Sequence, residues 1–259
     1  MGASDLPIGV FDSGIGGLTV VKQLKKILPK ENIVYLGDTA RVPYGTRSKK
    51  VIEEFALEDL RFLLKRKVKC VVVACNTVSA LALKKVKDNS SMVVFGMINP
   101  ANAKALKTSK NKKIGLVGTR ATVGSNAYKN IYMKRHASLL VPLVEEGITK
   151  GPELDIFIKK YFKDFKGKVD TLILGCTHYP IIKKSIEKYL GQNITLVDPA
   201  EEIAKEVKKY LKDNNLLNIQ KMKGKTEYHL TDLNPRFLKT ANNFLGNTNT
   251  AISFKQVAI

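Results

Sequence analysis

Short apolar runs rich in β-branched residues recur along this chain with helix-length segments between them, and that alternation restricts the possible folds more than any other feature. Val71-Val72-Val73-Ala74 and Thr171-Leu172-Ile173-Leu174-Gly175 are the clearest of these runs. Continuous apolar strands of this length belong in parallel sheets covered on both faces, because both sides of each strand must be buried. Alternating strand and helix signals therefore predict an α/β fold with mostly parallel sheets. Each of the two runs closes on a cysteine followed at once by polar residues, Cys75-Asn76-Thr77 and Cys176-Thr177-His178. Strand carboxyl ends are where open α/β sheets build their sites, so two thiols at equivalent ends point to a paired task.

An internal duplication underlies the pairing. Ile8-Gly9-Val10 recurs in outline as Ile114-Gly115-Leu116, and Gly9 precedes Cys75 by nearly the same length of chain as Gly115 precedes Cys176. Two α/β domains related by a pseudo-twofold would set these strand ends face to face, with one thiol on each wall of a shared cleft. Chance likeness between buried strands of common composition gives the same echo without the symmetry. The expected division is a first domain of residues 1–98 with a returning segment 214–259, and a second of 99–213.

Within that division, strands are expected at 8–11, 33–36, 68–74, 92–97, 113–117, 139–144, 169–174, 194–197 and 227–230. Helices are expected near 18–28, 48–65, 79–87, 124–134, 153–165, 181–190, 200–212 and 235–245, and Asn99-Pro100 marks the crossing between halves. At 259 residues and 44% hydrophobic content the chain can bury proper cores. No apolar stretch approaches the roughly 20 residues of a membrane span, and Met1 to Pro7 lacks the basic and apolar regions of a secretory signal. A cytoplasmic protein without membrane attachment is expected.

Three cysteines in such a compartment read as thiols rather than a disulfide framework. Cys70 precedes Cys75 on the same strand by an odd number of residues, so the two fall on opposite faces and Cys70 reads as core. Neither Cys75 nor Cys176 has a CxxC or HxxC partner, and no metal site is expected. The formal net charge of +21 is spread along helices, as in Lys49-Lys50 and Lys208-Lys209, without a motif that reads nucleic acid. It describes solvated helix faces, and a nucleic-acid partner is not expected.

The loops at strand ends carry the remaining chemistry. Asp12-Ser13-Gly14-Ile15-Gly16-Gly17 follows the first strand, and its glycines permit close approach of a ligand to the backbone. It matches neither the dinucleotide fingerprint nor the Walker sequence, so a small carboxylate held by Ser13 and backbone amides suits it better than a pyrophosphate. Asp12 belongs to this ligand-holding loop or is only a turn residue. Asn76-Thr77 and Thr177-His178 are expected to open helices, where the positive dipole end would lower the pKa of each neighbouring thiol. Asn and Thr also cap helices where no ligand binds.

Taken together, these segments resemble the glutamate racemases of the cofactor-independent aspartate/glutamate racemase superfamily. The matching stretches run in order from Gly9-Val10-Phe11-Asp12-Ser13-Gly14-Ile15-Gly16-Gly17 through Gly37-Asp38-Thr39-Ala40-Arg41-Val42-Pro43-Tyr44-Gly45 to Ala74-Cys75-Asn76-Thr77. Pro142-Leu143-Val144-Glu145 and Gly175-Cys176-Thr177-His178-Tyr179-Pro180 complete the set. The resemblance implies racemisation of glutamate by two thiols, without pyridoxal phosphate or any other cofactor, in a homodimer that supplies D-glutamate for peptidoglycan. It implies that Cys75 acts on D-glutamate and Cys176 on L-glutamate, with Asp12 assisting Cys75, and His178 and Glu145 assisting Cys176. Substrate contacts fall by the same resemblance on Asp12, Ser13, Tyr44, Gly45, Asn76, Thr77, Thr177 and His178. Tyr44 competes as a core aromatic, Asp38 either orients a neighbour or caps a helix, and His136 and His229 stand outside every motif. Two rivals stay open. One is an aspartate racemase or related carbon-acid isomerase, and the other is an added protein-binding role such as the gyrase modulation known for some members.

Overall fold

The computed structural model describes residues 2–245 and 253–259; residues 1 and 246–252, which fall in the expected first domain, lie outside these. The chain opens with β1 (Ile8–Asp12), α1 (Leu18–Ile27), β2 (Ile33–Gly37), α2 (Lys49–Leu64) and β3 (Cys70–Val73). It continues through α3 (Asn76–Leu81), α4 (Leu83–Asp88), β4 (Val94–Gly96) and α5 (Ile98–Thr108). The second half holds β5 (Ile114–Gly118), α6 (Arg120–Gly124), β6 (Met133–His136), α7 (Leu140–Glu145), α8 (Pro152–Phe162), β7 (Thr171–Gly175), α9 (Lys183–Leu190) and β8 (Thr195–Val197). After α10 (Pro199–Asp213) come β9 (Thr226–Leu230), α11 (Pro235–Leu245) and β10 (Phe254–Gln256).

Among the described residues these strands form two wholly parallel sheets, ordered β10-β9-β2-β1-β3-β4 and β6-β5-β7-β8. The run β2-β1-β3-β4 repeats as β6-β5-β7-β8, so the duplication read from the sequence is architectural. Its register repeats as well. Gly9 pairs with Val71 and Gly115 with Leu172, and each cysteine stands four residues beyond its glycine's partner.

Burial explains the strands' composition. All residues of β1, β2, β3, β5 and β7 are buried, as expected where helices cover both faces. Along β3 and its extension the side chains alternate. Cys70, Val72 and Ala74 enter one core with α1 and α10, while Val71, Val73 and Cys75 enter the core under α2. Cys70 therefore lies on the face away from Cys75, where burial pushes its thiol up to about 12 and leaves it inert. Helix α10 sends Ala200, Ile203, Ala204, Val207 and Leu211 into the core of the first sheet. No helix among the described residues is long and apolar enough to cross a membrane.

Several elements differ from expectation. The expected strand at 139–144 is helix α7, in which Leu140, Val141 and Val144 are buried at helical spacing. Its Pro142 sits in the first turn, where the missing N–H is harmless, whereas within a parallel strand it would break the ladder. The strand beside β5 is instead Met133–His136, a polar and largely exposed edge with no apolar pattern to betray it. The helix expected over 124–134 is replaced by short α6, begun by Thr119, whose hydroxyl accepts from the backbone of Thr122, and by a loop in which Asn126 and Asn130 take positive φ. Asn99 and Pro100 fall inside the first turn of α5, which again needs no proline N–H.

Candidate active site

The two sheets present their carboxyl ends to a common cavity of about 260 Å³, smaller than the roughly 300–1,000 Å³ of pockets that take drug-sized ligands. Ser13, Tyr44, Gly45, Cys75, Asn76 and Thr77 line it from the first half, and Glu145, Cys176, Thr177 and His178 from the second. Val42, Pro43, Leu139, Val141 and Pro142 supply apolar walls. Both thiols are nearly sealed, Cys75 at 4% exposure and Cys176 at 5%, and lie close enough for each charge to bear on the other. Asp12 is fully buried outside the lining, within electrostatic reach of Cys75 and His178.

The two thiols have different companions. Cys75 donates to Ser13 Oγ at 3.6 Å. Cys176 Sγ lies 3.7 Å from Nδ1 of His178, whose Nε2 lies 3.1 Å from Oε1 of Glu145. Burial pulls the His178 ring toward neutrality, but the hydrogen bonds and charges of Cys176 and Glu145 outweigh it and hold the imidazole pKa well above its ordinary value. Burial raises the Asp12 carboxyl, opposed by His178 and by backbone N–H groups of Gly17, Gly14 and Ser13. One oxygen of Asp12 accepts from Gly14 and Gly17 at 3.1 and 2.8 Å, while the other is buried without a partner.

The two helix ends differ from expectation. Cys75 does cap α3, yet burial and then the Asp12 charge push its thiol up to about 12, overriding the Val78 N–H and the Ser13 hydroxyl. After Cys176 the chain makes only a 3₁₀ turn, Tyr179–Ile182, before α9 begins at Lys183, so Thr177 and His178 open no α-helix. Burial thus holds Cys75 toward its protonated form.

Tyr44 reaches the cavity, but its hydroxyl turns away to donate to the Asp38 carboxylate. That carboxylate also takes Arg41 Nε at 2.5 Å and Thr231 Oγ1 at 2.9 Å, while Arg41 pairs with Glu58. Of the two readings of Asp38, orientation fits: its side chain makes no helix cap. His229 is buried against Glu227 and Phe62, and His136 sits on the exposed edge strand, both away from the cavity.

Several lining residues escaped the sequence reading, Thr46, Thr119 and Ser138 among the polar ones. Thr119 Oγ1 faces the cavity and lies 3.0 Å from Thr77 Oγ1, joining the two halves. The internal repeat contains the signal for it, because Thr119 follows Gly115 by the same step that separates Ser13 from Gly9. Ser138, before α7, had no such signal.

Comparison with known proteins gives concordant results. The family model of the Asp/Glu/Hydantoin racemases matches residues 8–207. A glutamate racemase of Aquifex pyrophilus is 46% identical over 238 residues, 89% of this chain and 90% of that protein. The crystal structure of glutamate racemase from Thermus thermophilus in complex with beta-chloro-D-alanine superposes with a TM-score of 0.89 at 40% identity, covering 99% and 98% of the two chains. That of Francisella tularensis subsp. tularensis in complex with D-glutamate gives 0.88 at 37% identity, covering 98% of each.

Proposed function

The chain belongs to the Asp/Glu/Hydantoin racemase family, among the glutamate racemases, and on that premise we propose that it interconverts L- and D-glutamate through Cys75 and Cys176. The observation that carries this reading is the presence of both thiols, from equivalent ends of two repeated sheets, in the wall of one small cavity. One thiolate takes the Cα proton, so that the C–H bond breaks, an S–H bond forms and the electron pair passes into the substrate carboxylate. The opposite thiol then gives its proton to the other face, and the pair returns to Cα.

Carbon acids this weak need donors aimed at the developing charge. Ser13, Asn76, Thr77, Thr119 and Thr177 offer neutral donors around the cavity without a lysine or arginine in its lining. Asp12 acts beside Cys75, and the Glu145–His178 pair beside Cys176. The D-glutamate formed would feed peptidoglycan synthesis.

Incubation with each enantiomer of glutamate and aspartate in deuterium oxide tests the reading. Loss of optical rotation with label at Cα of glutamate is expected. Label entering aspartate and never glutamate would transfer the chain to the related carbon-acid isomerases.

A further inference from the structure

Asn76 carries an unusual imbalance for a residue only 2% exposed. Its Oδ1 accepts from the Tyr128 hydroxyl at 2.8 Å, while its Nδ2, buried in the cavity lining, has no partner within the protein. The two ends of a carboxamide are nearly the same size, and only the hydrogen bonds around them decide which end faces where. Turned over, the amide would present an oxygen to an anionic substrate. A buried donor left without a partner is destabilising, so its persistence here points to a ligand that completes it.

Tyr128 is built to hold that orientation. Its ring is buried in the core shared by Ile98, Ala101, Ile114, Leu116 and Ile173. The residues on either side of it are pinned, Ala127 N donating to Ser125 Oγ at 3.2 Å and Lys129 N to Asn102 Oδ1 at 3.0 Å. Tyr128 follows α6 in the second half, whereas Asn76 opens α3 in the first, so the hydrogen bond spans the cleft.

We propose that Tyr128 is a positioning residue of the racemase site: its hydroxyl fixes the Asn76 carboxamide so that Nδ2 donates to a carboxylate oxygen of the amino-acid substrate. This rests on the racemase reading above. Nothing in the substrate need touch Tyr128, whose effect passes through Asn76 alone.

A double-mutant cycle of Tyr128→Phe and Asn76→Ala, read by racemisation kinetics, tests it. Because enantiomers have equal free energy, kcat/KM must fall equally in both directions. For Y128F a fall of about ten-fold is expected, carried mainly by KM, as for loss of one buried hydrogen bond. The double variant should be no slower than N76A, since the hydroxyl has nothing left to orient. Losses that multiply, or a Y128F enzyme with native KM, would overturn the proposal. Y128L serves as the packing control, because it must lower Tm well beyond the small loss that one hydrogen bond causes in Y128F; a Y128F variant as unstable as Y128L makes the residue structural and also overturns it. Native protein that racemises no glutamate removes the racemase reading first, whereas an active native enzyme with multiplying losses removes only the role of Tyr128.

Discussion

Glu145 Oε1 stands 3.1 Å from Nε2 of His178, which leaves Nδ1 as the ring nitrogen that meets Cys176. The carboxylate thus fixes the ring's orientation and, after Cys176, helps hold its charge. For Glu145→Gln the His178 pKa should drop, so the basic limb of the kcat/KM profile moves to lower pH, with activity reduced roughly ten-fold. The sign for stability follows from the raised pKa. The contribution of His178 is fully present below its ordinary value near 6.5 and fades as pH rises through the folded value. Thermal melts of native protein and E145Q should therefore diverge on the acid side and converge in alkali.

Cys75→Ser and Cys176→Ser should each lower racemisation by at least about 10³-fold, the scale expected for loss of an acid/base group. Each should retain wash-in of deuterium with one enantiomer, L-glutamate for C75S and D-glutamate for C176S, because the surviving thiol still addresses its own face. Proton NMR of the Cα position separates exchange from inversion. Full turnover in either variant would remove the two-thiol scheme.

Asp12→Asn should trade activity for stability. Burial raises the Asp12 carboxyl, so its contribution to stability is greatest below the ordinary aspartate value near 3.8 and is lost as pH rises through the folded value. The neutral amide escapes that loss. D12N should melt about 2 °C or more above the native protein at pH 8, with no gain near pH 4, while kcat falls about 100-fold.

Two glycines give opposite outcomes. A Cβ on Gly16 would collide with Thr177 Oγ1 and stand 2.8 Å from His178 Nδ1, across the line where the two halves meet. Gly16→Ala should cost about 1–3 kcal/mol by overpacking and lower kcat/KM more than ten-fold by displacing those side chains. Nothing lies within 4 Å of a Cβ on Gly124, so Gly124→Ala should leave kinetics unchanged and raise stability by about 0.4–1 kcal/mol. Denaturant titration and steady-state rates report both.

Much of the fold is legible in the sequence. The β-branched runs announce buried parallel strands, and the repeat around Gly9 and Gly115 announces two facing halves, because burial on both faces leaves a direct imprint on composition. The edge strand Met133–His136 leaves none, since its side chains are largely exposed and held only by backbone pairing to β5. Pro142 could belong to a helix only through its place in the first turn, which periodicity over so short a run does not reveal. Site chemistry was harder still. That Tyr44 should bond Asp38, or Tyr128 hold Asn76, depends on contacts between distant segments with no local pattern. The Cys75 thiol departs from the local expectation because burial, a property of the whole fold, outweighs the nearby helix end.

The sealing of both sulfurs has a consequence for the enzyme between turnovers. On the two-thiol scheme every inversion leaves the protein in the mirror state of the one that began it, with the proton now on the other wall. Two successive conversions in the same direction then require a refill, as a proton leaves one sulfur and another reaches its opposite through a site that barely meets water. The catalyst therefore keeps a memory of the last hand it made. On that scheme, saturating substrate is expected to make the erasing of that memory, rather than the breaking of the carbon–hydrogen bond, the slow event.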